Sequence, residues 1–503
     1  MTGPAETSPG EAPEACVAQF ANIRGFLAGD AAAALEHSEL EAYIKTEGFE
    51  LLRLLLQDHF DLRAFKETRL AEVVDADGVA RGAVERGHER PLATIIGTVS
   101  VGRLAYRRRG EENLYPADAV LNLPPQRHSH GLRQLAAIES SRGSFEEARD
   151  AICRATGVSV AKRQVEGLAR AAAADFEAFY QAEPRPVAEQ GEVVVISADG
   201  KGIVMRPDGL RPATAEAAAK AEHKLKGRLS KGEKRNRKRM AELGAVYTVK
   251  PVPRSPADVM ARSDEQGPKP KPAPEAENKW LTASVVDDAA AVIAQVFDEA
   301  DRRDPTRRCD WVGLVDGNRH QIDRIKAEAK QRKIDVTIVV DFVHVLEYLW
   351  SASWSFFAEG TAAAEDWVGE KATAILEGKA SIVAASIRRK ATTLDLDGDE
   401  RTNADRCADY LLAKTAYLDY PTALTNGWPI ATGIIEGACR HVVKDRLDLT
   451  GCRWSLKGAE AILKLRALRT NNDWTRYWSH HLAQERKREH ESRYQRNVVP
   501  VAA

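Results

Sequence analysis

Apolar runs of strand length punctuate the second half of the chain. Val193-Val194-Val195-Ile196, residues 311–315 and residues 336–340 are unbroken, which predicts central strands buried on both faces. Residues 244–249 and 280–286 read as further strands. Between them, residues 287–300 put Val292, Ile293, Val296 and Phe297 on one face of a predicted helix, and residues 321–333 predict another. The predicted order is three strands, helix, strand, helix, strand, then helices. The first strand is expected to end at Asp199-Gly200-Lys201-Gly202, with residues 203–205 as an extension.

The first half reads differently. Residues 16–75 carry helical periodicity, and residues 94–106 are rich in β-branched and small residues, which predicts strands. Ser144-Phe145-Glu146-Glu147 is a capping box that opens a helix. Thr156-Gly157 stops it, because glycine tolerates the left-handed cap. A second helix restarts at Val158-Ser159 and carries Lys162, Arg163 and Gln164. Helix, glycine turn, helix with basic residues near its start is helix-turn-helix order, about residues 144–178. An ordinary α-hairpin gives the same pattern.

Composition narrows the class. A chain of 503 residues with 44% apolar and 29% charged residues fits two to four globular domains. Six scattered cysteines without a Cys-x-x-Cys pair argue against a zinc ribbon or a disulfide framework and fit a reducing cytoplasm. No apolar stretch reaches the roughly 20 residues that span a bilayer, so no membrane partner is expected. Residues 1–15 read as a disordered tail and not as a signal peptide. The net charge of −1 does not announce a nucleic-acid binder, but its distribution does. Between Lys220 and Arg239 there are ten basic residues against two acidic ones, Glu222 and Glu233. That block, including Lys224, Lys226, Arg228, Lys231, Lys234, Arg235, Arg237 and Lys238, reads as a phosphate-contacting arm, as does Arg107-Arg108-Arg109. A solvated helix face is the plainer alternative.

Candidate chemistry lies in carboxylates placed where apolar elements end. Asp199, Asp316 and Asp341 each follow a strand-like run, and Glu436 follows Ile434-Ile435. Such acids repel one another unless a cation sits between them, and a divalent metal handling phosphates is the commonest reason for the set. The element order is that of a ribonuclease-H-like fold, a mixed sheet in which the first and fourth strands are neighbours. Asp199 then meets Asp316, and a later helix aims Glu436 at the same point. Strand order favours Asp316 over Asp341 as the second acid.

Several motifs in order give a more specific resemblance. They are Ile196-Ser-Ala-Asp199-Gly-Lys-Gly, Leu314-Val-Asp316-Gly, Val340-Asp-Phe-Val-His344, Gly433-Ile-Ile-Glu436-Gly-Ala-Cys-Arg440, Lys444-Asp-Arg446 and Leu449-Thr-Gly-Cys-Arg-Trp454. The chain resembles DDE transposases of the ISKra-type insertion-sequence family over most of its length. The resemblance implies Mg²⁺-dependent hydrolysis of DNA followed by 3′-hydroxyl strand transfer, with two Mg²⁺ ions that Mn²⁺ can replace. Asp199, Asp316 and Glu436 are the expected metal ligands, with Asp341 as the alternative second aspartate. Asp341-x-x-His344 resembles a signature of Mutator-like transposases, which makes His344 a candidate catalytic group; a helix cap with a satisfied histidine is the alternative. Expected partners are double-stranded DNA, at transposon ends and target, and further copies of the chain in a synaptic complex. A bacterial cytoplasm, close to the nucleoid, is the expected location. A catalytically silent DNA-binding protein of the same fold is the alternative function.

Arg440 and Lys444 are expected along the DNA path, and Arg453-Trp454 offers a stacked contact, or else a buried tryptophan. Trp350, Trp354 and Trp367 lie in mostly helical sequence, with core packing the default for Trp350 and Trp354 and stacking on unpaired bases the alternative. Residues 16–185 are expected to form a DNA-binding region. Residues 190–345 are expected to form the first part of the core, with a basic excursion at 207–243 and a Pro-rich loop at 251–278. Then come 346–428, an all-helical insertion; 429–480, the second part of the core; and 481–503, a charged tail.

Overall fold

The computed structural model describes residues 14–222, 225, 229–230, 233–261 and 269–501. Contacts divide the chain into two units, Met1–Gln181 with Asp473–Ala503, and Ala182–Asn472. Lys224, Lys226, Arg228 and Lys231 of the basic block, most of the expected N-terminal tail and residues 262–268 of the Pro-rich loop lie outside the described residues.

In the first unit, α1 (Glu14–Leu27) and α2 (His37–Lys66) pack together, with Phe26 stacked on Tyr43 at 4.0 Å. Strands β1 (Ala83–Thr94) and β2 (Gly97–Arg107) form an antiparallel ribbon. The ribbon begins earlier than its apolar residues suggest. Residues 83–90 are mostly polar because β1 pairs with β2 alone and stays half in water. The inward side chains Leu92, Val99 and Val101 pack on Phe60 of α2.

Three helices come next: α3 (His130–Arg142), α4 (Phe145–Thr156) and α5 (Lys162–Ala172). Ser144 and Glu147 form the expected capping box, and Gly157 ends α4 at φ 69°. Leu132, Ile152, Val160 and Val165 close a common core. Lys162 and Arg163 stay exposed at the start of α5.

The C-terminal segment corrects an expectation. Of the expected charged tail, residues 481–501 are described, and several of them are buried. The helix Trp474–Glu485 and the residues after it belong to the first unit. Arg133 holds Glu485 through two hydrogen bonds of 2.5 and 2.6 Å, and His490 Nε2 lies 2.9 Å from the Leu123 carbonyl. Apolar packing adds Tyr494, which joins Leu104 and Tyr106.

The second unit is a mixed α/β fold. Its strands are β3 (Val193–Val204), β4 (Lys238–Val249), β5 (Ala276–Ser284), β6 (Asp310–Val315) and β7 (Thr337–Val340). Their order in one sheet is β5-β4-β3-β6-β7. The β3–β4 and β4–β5 pairs are antiparallel, and the β3–β6 and β6–β7 pairs are parallel. The first and fourth strands are therefore neighbours, as the element order predicts. Strand β3 does not end at Asp199. Its parallel pairing with β6 stops at Ser197, while its antiparallel pairing with β4 runs on to Val204. The basic residues Lys238 and Arg239 consequently open β4.

Helices cover both faces. On one lies α6 (Ala289–Arg303), seated directly on Gly244. A Cβ at Gly244 would sit 2.3 Å from Val296 Cγ2, so only glycine lets the helix approach this closely. Gly244→Ala is therefore expected to destabilise this unit by about 1–3 kcal/mol through overpacking. Denaturant unfolding followed by tryptophan fluorescence measures it, and an unchanged midpoint would show that the helix can shift to make room.

Between β6 and β7 runs α7 (Arg319–Arg332). After β7 come α8 (Phe342–Ser353), α9 (Ala362–Leu376), α10 (Ala380–Thr393) and α11 (Gly398–Lys414), the expected helical insertion. Trp367 is buried there beside Phe356, with ring centres 5.4 Å apart. Trp354 departs from its core-packing default: it is 48% exposed, at the C-cap of α8. The chain returns to the sheet as α12 (Gly433–Ala438), a π-helical turn (Cys439–Lys444) and α13 (Leu456–Thr470).

Candidate carboxylate site at the end of the central strands

The pairing of β3 with β6 positions the first two acids. Ser197 is opposite Leu314, and two residues further along each strand come Asp199 and Asp316. Adjacent strands run about 4.8 Å apart, so this register brings the two carboxylates together at one end of the sheet. Beyond Val315 the chain turns away through Gly317, at φ +93°. A Cβ there would meet the Tyr410 hydroxyl at 2.7 Å, so glycine is required for both reasons. Tyr410 fixes the turn by donating to the Asp316 carbonyl at 3.0 Å.

Asp199 is held on both oxygens. Its Oδ1 accepts from the Gly200 amide at 2.6 Å, and its Oδ2 accepts from the Cys439 thiol at 3.0 Å. Burial, then the neighbouring Asp199 charge, push the Cys439 thiol far up, so it stays protonated and donates. Cys439 opens the π-helical turn, three residues beyond Glu436. Such turns frequently occur at functional sites. Glu436 itself is exposed.

Asp199, Asp316, Glu436, Asp341 and His344 line one cavity of about 170 Å³. Asp341 is buried in its wall and already engaged. One oxygen caps α8 by accepting from the Val343 amide at 2.9 Å, and the other takes the Thr432 hydroxyl. It is the N-cap of α8. Asp316 engages one oxygen locally, with the Asn318 amide at 2.8 Å. The His344 Nδ1 is 3.1 Å from Glu347, and the ring stands edge-on to Tyr348 and Tyr410.

The donor set suits a hard cation. Carboxylate oxygens are what Mg²⁺ prefers, and it is commonly held by one or two of them with water and phosphate completing its shell. Among the described residues no three His, Cys, Asp or Glu side chains are already drawn around one point as a cage. Asp199, Asp316 and Glu436 bring carboxylates to the lining of this cavity.

The chain matches no family model and no curated protein. Among the described residues no helix is long and apolar enough to cross a membrane.

A second cavity of about 430 Å³ shares Asp199 and Asp316 and adds Arg211, Glu242 and Asp288. The sequence pattern held no sign of Glu242. It pairs with Gly200 across β3 and β4, a register visible only once β3 continues past Asp199. Burial pushes its carboxyl above the usual range; Arg211 opposes this, and the Asp199 and Asp288 charges add to it.

Most of the basic candidates are exposed, and three of them pair with acids. Arg108, Arg109, Lys162, Arg163, Lys234, Arg235 and Arg237 are exposed, and so are Arg440, Lys444 and Arg453. Arg107 pairs with Glu85, Lys162 with Glu146 at 3.2 Å, and Lys238 with Asp448 at 3.5 Å. Arg239 turns inward and donates to the Val285 carbonyl at 2.6 Å. Trp454 is a correction: it is buried, not available for stacking on a base. Its indole donates to the Leu447 carbonyl at 3.0 Å, and the buried Arg446 guanidinium lies 4.7 Å from its ring centre. Its backbone pairs with β3 and the residues after it, which closes the ring inside the fold.

Proposed function

We propose that the chain is a DNA transposase of the DDE class, similar to the ISKra-type family, whose second unit is a ribonuclease-H-like core. The observation that carries this reading is the shared cavity of Asp199, Asp316 and Glu436, three acids far apart in sequence. The sheet order, with β3 between antiparallel β4 and parallel β6, supports it.

Asp199, Asp316 and Glu436 would hold magnesium, which when bound would supply charge neutralisation at a scissile phosphate and an activated water or 3′-hydroxyl. The protein's own part is orientation. The Gly200 amide and Cys439 thiol fix the Asp199 carboxylate. His344, on the cavity wall, is placed to hold a proton or contact a phosphate oxygen. Arg440 and Lys444, exposed just beyond Glu436, meet the DNA backbone. The exposed start of α5 is the candidate reading element of a helix-turn-helix.

Labelled DNA from the regions flanking the coding sequence, incubated with the protein in Mg²⁺, is expected to be cut and joined to a plasmid, and to stay intact in EDTA. Binding with no cleavage in Mg²⁺ or Mn²⁺ would instead support a silent DNA-binding protein; the absence of a preformed three-ligand cage among the described residues is the one observation on that side.

Cys439 gives a sharper test. Loss of a hydrogen bond to a metal-holding carboxylate typically costs 10–100-fold in metal affinity or activity. Cys439→Ala is expected to lower cleavage by about that factor, while Cys439→Ser keeps a donor and most of the activity. Equal rates in all three proteins would remove Cys439 from the arrangement.

A further inference from the structure

The outer side of the α1–α2 pair is unusually apolar for a surface. Helix α2 has 30 residues and uses one side for the ribbon, where Arg53 lies against Gly97, Ala64 against Gly102, and Phe60 is buried. Ile44, Leu52, Leu55 and Leu62 are exposed along the helix by 49, 48, 49 and 46%, and Leu62 also borders a cavity that reaches the ribbon at Val101 and Gly102. At about 100° per residue, Ile44, Leu55 and Leu62 fall within roughly 20° of one line. Helix α1 repeats the pattern. Gln19 and Phe26 face α2, while Val17, Phe20 and Leu27 face away, 50, 51 and 39% exposed. Single exposed leucines are ordinary; a run of them along one helix face marks an interaction site.

The stripe on α2 is complementary to itself. It reads Glu41, Ile44, Gly48, Leu52, Leu55, His59, Leu62, Lys66. Reversed about the midpoint between Leu52 and Leu55, it sets Leu52 against Leu55, Gly48 against His59 and Glu41 against Lys66, with Ile44 and Leu62 one residue out of register. Apolar meets apolar, small meets large, and negative meets positive. Among the described residues no atom comes within 4 Å of a Cβ built on Gly48, so a neighbouring helix has room to enter there.

We propose that α2 docks antiparallel on α2 of a second copy of the chain, about a twofold axis passing between Leu52 and Leu55. The interface is isologous, each residue finding its counterpart on the other copy. With α1 flanking each side, two such pairs of helices have the make-up of a four-helix bundle. A pair of chains suits the synapsis of two DNA ends, but the dimer stands on this surface alone, whatever the carboxylates do.

Sedimentation equilibrium of the full chain at about 1–50 µM tests it, with far-UV circular dichroism as the folding control. The intact chain is expected at twice 55.3 kDa. Leu52→Gln with Leu55→Gln is expected to give a monomer of unchanged helicity. Should that variant lose its helicity, a charge pair decides. Glu41→Lys is expected to weaken the dimer about threefold to tenfold, and adding Lys66→Glu to restore it. A monomeric parent chain, a dimer that survives the double glutamine change, or charge variants with parental affinity would each overturn the proposal.

Discussion

Replacing Asp199 by Ala is expected to lower magnesium-dependent DNA cleavage by at least about 10³-fold while DNA binding persists. The size follows from the several kcal/mol of transition-state charge stabilisation that a bound metal supplies, at roughly 1.4 kcal/mol per tenfold. Asp199 is the acid with most to lose, because both cavities at the sheet end include it and its carboxylate is oriented on both oxygens. Asp316→Ala and Glu436→Ala should follow it. Asp341 separates from the others. Its oxygens are engaged by the Val343 amide and the Thr432 hydroxyl, a role asparagine can partly fill as a good N-cap. Asp341→Asn is therefore expected to keep cleavage within about tenfold, and Asp316→Asn to lose it. Gel assays of labelled DNA with each variant measure this. The reverse result would move the second metal ligand to Asp341, and full cleavage by Asp199→Ala would sink the enzymatic reading.

The parts legible in sequence share a physical cause. Residues 193–197, 311–315 and 336–340 lie in the interior strands or beside them, so nearly every side chain there is buried and the apolar run is unbroken. The helix boundaries at Ser144 and Gly157 were legible because capping chemistry is local. The features that escaped depend on distant partners. The far end of β3 and the start of β4 pair with each other beyond the reach of β6, so their residues are glycine and charge and look like a loop. Glu242 and the second cavity were hidden by the same continuation. Trp454 allowed either a stacked or a buried reading, because nothing nearby in sequence announces that it adds to the end of β3. The contact of Cys439 with Asp199 joins residues 240 positions apart, which no local pattern announces. Asp199, Asp316 and Glu436 stood out in the sequence because each follows a readable apolar run, and all three line one cavity.

The C-terminal segment yields the largest expected effect on stability. Glu485 and Arg133 are both buried and share two short hydrogen bonds. Glu485→Ala leaves the Arg133 guanidinium buried without its carboxylate and is expected to destabilise the first unit by about 3–5 kcal/mol. Acid should weaken the same segment. Burial holds the His490 imidazole down to about 4, against about 6.5 unfolded, so below pH 6.5 the unfolded chain binds the extra proton and stability falls until about pH 4. Asp175 continues the loss. Burial would raise its carboxyl, but the hydrogen bonds from His481 and Arg488 outweigh that and hold it at about 2, so its contribution is intact above about 3.9 and disappears as pH falls toward 2. Glu485 is lowered too: burial opposes its charge, but the bonds from Arg133 prevail, and its contribution is lost in the same direction. Hydrogen exchange across the helix Trp474–Glu485, read at pH 7 and pH 5, measures both effects. A Glu485→Ala protein within 1 kcal/mol of the parent, or protection that does not decline in acid, would mean that this buried charge network does not hold the segment in place.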